Sequence, residues 1–292
     1  LSRGLGDVYK RQMRTTHIVR GDEWISSCPI HLQLNKLLGF KTPKFVHVAP
    51  IMKAEGEGKR KLSKRKDPEA AVTYYSEQGY PSESVNEYMM TLANSNFEDW
   101  RRANKAEDIN KFPFNIKKMS VSGALFDIAK LDDISKTVIS VMDCKKVFEL
   151  SHEWAKEYCE PLARLYEADF EYATAILNID RGNKKPRKDI AKWSDIPDYI
   201  SYMYDETFSP DYTLCGNATA DLAAKVLKIY KNSFDINDDK DNWFERIKAI
   251  CPEVGCTPNV KEYKQSPEAF AGHVGDVSTL SLIHISEPTR QE

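Results

Sequence analysis

Basic side chains are concentrated between Lys53 and Lys66, where seven lysines and arginines stand against only two glutamates. Gly56 and Gly58 give the backbone of this segment extra freedom. A triphosphate needs positive charge at several oxygens, and lysine supplies a compact ammonium group on a flexible stem. The segment 61–65, KLSKR, is therefore predicted to be a mobile loop that holds phosphates, although its composition alone also fits a solvated basic loop.

Arg20 is a second candidate, because it ends a short apolar and β-branched segment, THIVR at 16–20. A guanidinium group at the end of a strand can bind a carboxylate through two parallel hydrogen bonds. The alternative for this arginine is a surface salt bridge. Another basic cluster, formed by Lys184, Lys185 and Arg187, lies in a part of the chain that is otherwise helical, and an exposed basic turn is its simplest interpretation.

Histidines and cysteines lack the spacing of a metal site. The six cysteines are scattered, with no CxxC pair, which predicts reduced thiols. Metal-ligand spacing is also missing from the histidines, which we interpret as structural: His17, His31, His47, His152 and His273. No structural metal is predicted.

The elements that carry these residues begin as an α/β unit. A strand is predicted at 16–20, and a second strand at 45–49, FVHVA. Between them, apolar residues recur at helical spacing and Gly39 supplies the stop; they are Ile30, Leu34, Leu37 and Leu38. Strand, helix and strand with short links predict a parallel βαβ unit, in which ligands bind beyond the carboxyl ends of the strands. Arg20 and the basic segment both follow such ends.

The rest of the chain is predicted to be mostly helical. One helix is expected from Asp67, as N-cap before Pro68, to Gly79, and another from Ser84. A long helical stretch at 151–177 is expected to break near Pro161, and a further helix is expected at 218–234. The apolar stripes of these helices are interpreted as core.

Composition sets the outer limits. The 292 residues predict two or three domains, and no apolar run is long enough to cross a bilayer. The formal net charge of -2 means that a nucleic-acid partner would have to bind local basic patches. Residues 1–12 and 280–292 resemble sequencing-adapter read-through translated into protein, so both are left out of the fold prediction.

The order of residues is more specific than the composition. KLSKR resembles the second signature loop of class I aminoacyl-tRNA synthetases. Four longer segments, in the right order, resemble bacterial glutamyl-tRNA synthetases and extend the resemblance over residues 16–280: THIVRGDEWISSCPIHLQL, KRKLSKRKDPEAAVTYY, SGALFDIAKL and KEYKQSPEAFAGHVGDVSTL.

This resemblance implies an α/β remnant of a class I synthetase nucleotide-binding fold, followed by mostly α-helical domains. Residues 13–66 would be the C-terminal part of the catalytic domain, 67–140 a helical stem-contact domain, and 141–279 a truncated helical anticodon-binding region. The implied activity is a glutamate–tRNA ligase, which forms glutamyl adenylate from glutamate and ATP with Mg²⁺ and transfers glutamate to tRNA(Glu). A cytoplasmic monomer is expected.

The resemblance also implies roles for individual residues. Lys64 and Lys61 would act in catalysis, Arg20 would bind the amino acid, and Trp24 with Asp22 would contact the 3' end of the tRNA. Trp24 can stack on an adenine, although a half-buried core tryptophan is an equal alternative. The ATP-binding set is Lys61, Ser63, Lys64 and Arg65. In the anticodon-binding region, Arg187 would meet a base edge, and Lys184 and Lys185 would meet phosphates.

The sequence departs from the family in lacking the histidine-containing HIGH-type motif, so a fragment without adenylate-forming activity is expected. Two alternatives stay open at this point. One is a non-catalytic tRNA-binding module, and the other is a glutaminyl-tRNA synthetase. The helical C-terminal region, where a β-barrel would be expected for glutamine, favours glutamate.

Overall fold

The computed structural model describes residues 2–105, 107–208, 219–235 and 237–281. It divides into two compact units, 1–199 and 200–292. The strands are β1 His17–Gly21, β2 Lys44–Val48, β3 Met52–Glu55, β4 Gly58–Lys61, β5 Cys256–Thr257 and β6 Gly272–His273. The helices up to the unit boundary are α1 Ser2–Gln12, α2 Cys28–Leu37, α3 Val72–Gln78, α4 Ser82–Ala93, α5 Phe97–Ala103, α6 Ile128–Ser140, α7 Cys144–Tyr158, α8 Glu160–Ala168, α9 Phe170–Leu177 and α10 Ile196–Ile200. Those beyond it are α11 Ala220–Ser233, α12 Lys240–Glu253, α13 Val260–Gln265 and α14 Val274–Ser281.

The predicted βαβ unit is confirmed. β1 and β2 pair in parallel, and the register sets Arg20 opposite His47. α2 connects them and ends before Gly39, whose φ of 64° is the left-handed conformation that suits glycine after a helix.

The apolar stripe of α2 is largely exposed, because Ile30 is 59% exposed and Leu37 is 77% exposed. Asn35 is the buried residue of this helix, and its side-chain amide donates to the His31 carbonyl oxygen at 2.8 Å. A sheet of two strands offers too little surface to cover the stripe. Helical spacing therefore predicted the helix correctly but not what its apolar face contacts.

The basic segment is only partly a loop, which corrects the prediction. β3 and β4 form an antiparallel hairpin, with Gly56 at the turn in the left-handed conformation, φ 57°. The segment 124–126 adds to its edge, because Met52 N–H donates to the Ala124 carbonyl at 2.8 Å. Gly123 makes this approach possible, since a Cβ there would lie 2.4 Å from the Pro50 carbonyl oxygen.

The helices after the hairpin pack around a tyrosine-rich core. This cluster contains Tyr75, Tyr80, Tyr88, Phe126 and Leu131. The predicted break near Pro161 is confirmed between α7 and α8, and a second break precedes α9. There, Asp169 caps α9 by accepting the Tyr172 N–H at 2.8 Å.

The second unit has its own core, in which Leu222, Val226, Ile247 and Val277 are buried. α11 confirms the helix predicted at 218–234, and Thr219 caps it by accepting the Leu222 N–H at 3.2 Å. The predictions for Cys215 and for residues 282–292 lie outside the described residues.

The N-terminal segment forms α1 and contacts α2. Asp7 is buried and lies 2.8 Å from His31 Nδ1, and the Arg11 guanidinium lies 4.9 Å from the Phe40 ring centroid. The adapter origin of residues 1–12 stays a prediction. Among the described residues, no helix combines the length and the apolar character that crossing a membrane requires.

Candidate functional site

The KLSKR segment begins at the last residue of β4, and a backbone hydrogen bond holds it next to the chain that leaves β2. Leu62 N–H donates to the carbonyl of Ile51, three residues after β2, at 2.9 Å. Lys61, Lys64 and Arg65 are exposed, and no ion pair engages them within the described part of the chain. The structure therefore presents three free cations beyond the carboxyl end of a parallel strand, which is where ligands bind such sheets.

Asp67 holds the base of this segment, which corrects its predicted role as a helix cap. Its carboxylate receives two hydrogen bonds from the Arg60 guanidinium, at 2.6 and 2.8 Å. It also accepts the Ser63 N–H at 2.9 Å and lies 3.2 Å from Lys53 Nζ. Pro68 to Ala70 consequently form a short 3-10 turn without a side-chain cap, and the α-helix begins only at Val72.

Charge complementarity explains the state of this cluster. The hydrogen bonds from Arg60 hold the pKa of the Asp67 carboxyl well below its usual range, and those from Ser63 and Lys53 act in the same direction. In return, Asp67 raises the pKa of Arg60, and Glu69 with Asp67 raises that of Lys53. Asp67 is therefore a carboxylate at neutral pH, and Arg60 and Lys53 are paired with it.

Arg20 is oriented by side chains from both strands. Its Nε donates to His47 Nε2 at 3.0 Å, and its guanidinium lies 4.9 Å from the Phe45 ring centroid. Its Nη2 is buried without a hydrogen-bond partner among the described residues. A buried donor left unpaired is costly, so this nitrogen is an unsatisfied hydrogen-bonding group of the site.

Trp24 and Asp22 lie directly beyond Arg20, in the 3-10 helix Asp22–Ser27. Trp24 is 48% exposed, and its ring centroid lies 5.8 Å from the Arg20 guanidinium. About half of the Trp24 surface is thus accessible to solvent. Asp22 is exposed as well.

The second basic cluster lies after α9. Lys184 and Lys185 are exposed, whereas Arg187 Nε lies 2.6 Å from Asp189 and its Nη1 lies 3.9 Å from Asp180. The guanidinium fork predicted to contact a base edge is therefore partly engaged by carboxylates. Its anticodon role stays a prediction.

The described residues contain no group of three or more histidine, cysteine, aspartate or glutamate side chains placed to hold a metal ion. Among the histidines interpreted as structural, His31 contacts Asp7 and His47 accepts from Arg20. Cys251 and Cys256 are buried free thiols, and burial raises the pKa of Cys256 to about 11.

Two features of the site were missed in the sequence. The Arg20–His47 contact follows from the strand register, so pairing the ends of the two predicted strands would have suggested it. The Asp67–Arg60 pair carries no sequence signal of its own, because it depends on the hairpin that returns Arg60 to within reach of Asp67.

Known proteins resemble this chain in both sequence and structure. Residues 8–133 match the family model for the catalytic domain of class I tRNA synthetases (E and Q). The glutamate–tRNA ligase of Acetivibrio thermocellus is 45% identical over 273 residues, which make up 94% of this chain and 50% of that relative. The glutamate–tRNA ligase of Clostridium perfringens strain 13 is 45% identical over 270 residues, or 91% of this chain and 50% of the relative.

The chain spans about half the length of the curated relatives it matches. A crystal structure of a glutamate tRNA ligase from Elizabethkingia meningosepticum, in complex with its amino acid, matches with a TM-score of 0.60 at 18% identity. The match covers 85% of this chain and 50% of that chain, and it concerns the fold alone. A partial class I synthetase nucleotide-binding fold followed by mostly α-helical domains is thereby confirmed as the fold class.

Proposed function

Because this chain belongs to the glutamyl-tRNA synthetase family, we propose that it supplies ATP, glutamate and tRNA contacts to a glutamate–tRNA ligase. In this reaction a glutamate carboxylate oxygen attacks the α-phosphorus of ATP, and the bond to pyrophosphate breaks. The product is glutamyl adenylate. A hydroxyl of the terminal adenosine of tRNA(Glu) then attacks the activated carbonyl, and AMP leaves.

The basic loop would act on the first step. Negative charge builds on the phosphate oxygens as the bond to pyrophosphate breaks, and fixed cations stabilise that charge more than they stabilise bound ATP. Lys64 and Lys61 are assigned to this task, and Ser63 and Arg65 complete the ATP contacts. ATP would enter with its Mg²⁺ as part of the substrate.

Arg20 would bind a carboxylate of glutamate through its guanidinium group, which His47 and Phe45 orient. Trp24 and Asp22 follow it in the chain and are assigned to the 3' end of the tRNA, where the partly exposed indole would stack on the terminal adenine. Lys184, Lys185 and Arg187 are assigned to the anticodon. A cytoplasmic monomer is part of the same proposal.

The strongest support is the combination of sequence order with exposure, because Lys61, Lys64 and Arg65 are free cations beyond the end of β2. A chimera in which this chain replaces the matching half of the full-length Acetivibrio thermocellus relative tests the role of Lys64. Lys64→Ala in the chimera should slow adenylate formation by about 10²–10³-fold, the usual cost of a lost preorganised donor. Rapid-quench kinetics of adenylate formation measure the rate.

Lys66→Ala is the matched control, because Lys66 is an exposed lysine in the same segment but lies outside the KLSKR set. Its rate should stay within a few fold of the parent chimera. An unchanged rate in Lys64→Ala would remove Lys64 from the catalytic step. An inactive parent chimera would count against the enzyme and favour the non-catalytic tRNA-binding module.

Glutamine remains the narrower alternative, since the matching family model covers both amino acids. The relatives are glutamate–tRNA ligases, which favours glutamate. Charging assays on the chimera with glutamate and glutamine, each with tRNA(Glu) and tRNA(Gln), distinguish the two. Charging with glutamine alone would overturn the assignment.

A further inference from the structure

Asp67 divides the cations of the basic segment into two groups. Arg60 and Lys53 are bound to its carboxylate, and the Lys59 ammonium donates to the Ser122 carbonyl at 3.2 Å. The remaining four cations are exposed, with no ion pair in the described residues: Lys61, Lys64, Arg65 and Lys66. Arg60 and Lys53 share the Asp67 carboxylate, which is only 1% exposed. Each also has an outer partner, Glu55 for Arg60 and Glu69 for Lys53.

Asp67 also closes the backbone of the loop. Its carboxylate accepts the Ser63 N–H at 2.9 Å, while its own N–H donates to the Ser63 carbonyl at 2.8 Å. Both backbone groups of Ser63 are therefore tied to Asp67, one of them through the Asp67 side chain. Lys64 and Arg65 lie inside this closed turn, so the turn sets the direction in which their side chains leave the backbone.

We propose that Asp67 is a positioning residue that, together with Arg60, fixes the KLSKR turn in a phosphate-binding conformation. The proposal rests on the proposed function of the loop. Asp67 does not touch the phosphates. It uses Arg60 and Lys53 to hold the turn, and these two cations neutralise its charge so that it does not repel a triphosphate.

The effect of Asp67→Asn on triphosphate binding has a sign that distinguishes positioning from simple charge. The substitution removes a negative charge and loosens Arg60 and Lys53. If the loop binds a triphosphate only through its net positive charge, the affinity should therefore increase. If the loop binds because its turn is preorganised, the affinity should decrease, because the ligand must then order the loop itself. The two accounts therefore predict opposite changes in affinity.

Isothermal titration calorimetry of the full chain with inorganic triphosphate, at fixed ionic strength, measures this change. Asp67→Asn and Arg60→Ala should each weaken binding by about tenfold. The double variant should be no weaker than either single variant, because the two residues act as one unit. Glu55→Gln is the matched control, because it also removes a negative charge next to Arg60, but the Glu55 side chain is 59% exposed. It should leave the affinity within about twofold.

Amide hydrogen exchange shows whether the local fold survives. In Asp67→Asn the Ser63 amide should exchange faster, while the Leu62 amide, bound to Ile51, should stay protected. If Leu62 also loses protection, Arg60→Lys replaces this variant, because it keeps the charge but cannot form the fork. Its affinity should fall between those of the parent and Arg60→Ala.

Lys64→Ala distinguishes a failure of the positioning role of Asp67 from a failure of the phosphate-binding role of the loop. If Lys64→Ala weakens binding but Asp67→Asn binds as tightly as the parent or more tightly, the positioning role is wrong and the phosphate-binding loop stands. If Lys64→Ala binds as well as the parent, or the parent does not bind, the proposed function of the loop is wrong. Additive effects of Arg60→Ala and Asp67→Asn would also overturn the coupling.

Discussion

Arg20 contacts ring side chains, and no carboxylate pairs with it in the part of the chain that the structure describes. His47 accepts its Nε–H at 3.0 Å, and the Phe45 and Trp24 rings lie near its guanidinium, at 4.9 and 5.8 Å. An arginine that is oriented but not neutralised keeps its charge for a ligand. His47 can accept this hydrogen bond only through an unprotonated nitrogen.

His47→Leu should therefore weaken glutamate binding more than ATP binding, because Arg20 would no longer have the hydrogen bond that orients it. Arg20→Lys should do the same, since an ammonium group cannot form the fork. Equilibrium binding of each ligand to the chimera measures both effects. His17→Leu is the control, because His17 is exposed at the opposite end of β1. Equal weakening of glutamate and ATP would contradict the role of Arg20.

Asp67 should make the stability of the first unit depend on acid. Its pKa is lowered in the folded chain, so its contribution is fully present above its ordinary value of 3.8 and is lost as the pH falls through the lowered value. Asp67→Asn should lower the free energy of unfolding at pH 7, and the difference from the parent should shrink only below about pH 4. Urea unfolding across this range measures the difference.

An exposed carboxylate provides the comparison for Asp67. Asp99 pairs with Arg102 at 3.1 Å, with both side chains largely exposed. Such a pair contributes little, so Asp99→Asn should leave the free energy of unfolding at pH 7 almost unchanged. A loss as large as that of Asp67→Asn would show that general charge balance, and not the buried cluster, sets the stability.

At the scale of elements, the sequence predicted the structures that local periodicity determines. β1, α2 and β2 follow from β-branched runs, apolar spacing and a glycine stop, and these signals lie within each element. The β3–β4 hairpin has no such alternation, because its residues are mostly charged or glycine. Its edge partner at 124–126 lies far along the chain, so the pairing depends on tertiary contacts that periodicity does not report.

The same limit applies to helix starts and to exposed faces. An aspartate before a proline is a good cap signal, yet Asp67 is used by Arg60 and Ser63 instead. α2 formed as its pattern predicted, but burial of its stripe needs a neighbouring surface that two strands do not supply. Candidate residues could thus be named from the sequence, whereas their partners required the fold.

Gly79 is a close junction at the end of α3, where the backbone meets Trp154 and Trp193. It ends α3 with a φ of 79°, and a Cβ there would lie 2.8 Å from the Trp193 Cβ and 3.0 Å from the Trp154 ring. Gly79→Ala should lower the free energy of unfolding by about 2–5 kcal/mol, combining left-handed strain with overpacking. Urea unfolding followed by tryptophan fluorescence measures this loss.

Gly182→Ala separates the two contributions, because Gly182 has a φ of 76° but no atom within 4 Å of its added Cβ. It should cost about 1–2 kcal/mol, the strain alone. Equal losses at the two positions would mean that the tryptophan contacts contribute nothing to the effect of Gly79→Ala.

At the scale of the whole molecule, the formal net charge of -2 gives no general attraction for RNA. Some exposed lysines are already paired with carboxylates, as Lys111 is with Glu107 at 2.5 Å and Lys130 is with Glu98. Lys184 and Lys185 are exposed without such a partner in the described residues. Binding of tRNA should therefore depend on the unpaired lysines, because a paired lysine must give up its carboxylate to meet a phosphate.

Salt dependence tests this distinction directly. Removing one lysine that neutralises a phosphate should reduce the slope of log K against log salt by about 0.7–0.9, so Lys184→Gln with Lys185→Gln should reduce it by about 1.5. The double substitution Lys111→Gln and Lys130→Gln removes the same formal charge from paired sites and should change the slope little. Fluorescence anisotropy of labelled tRNA(Glu) with the full chain, across a salt series, gives both slopes. If both double substitutions reduce the slope equally, tRNA binding depends only on the total charge of the chain. The assignment of Lys184 and Lys185 would then be wrong.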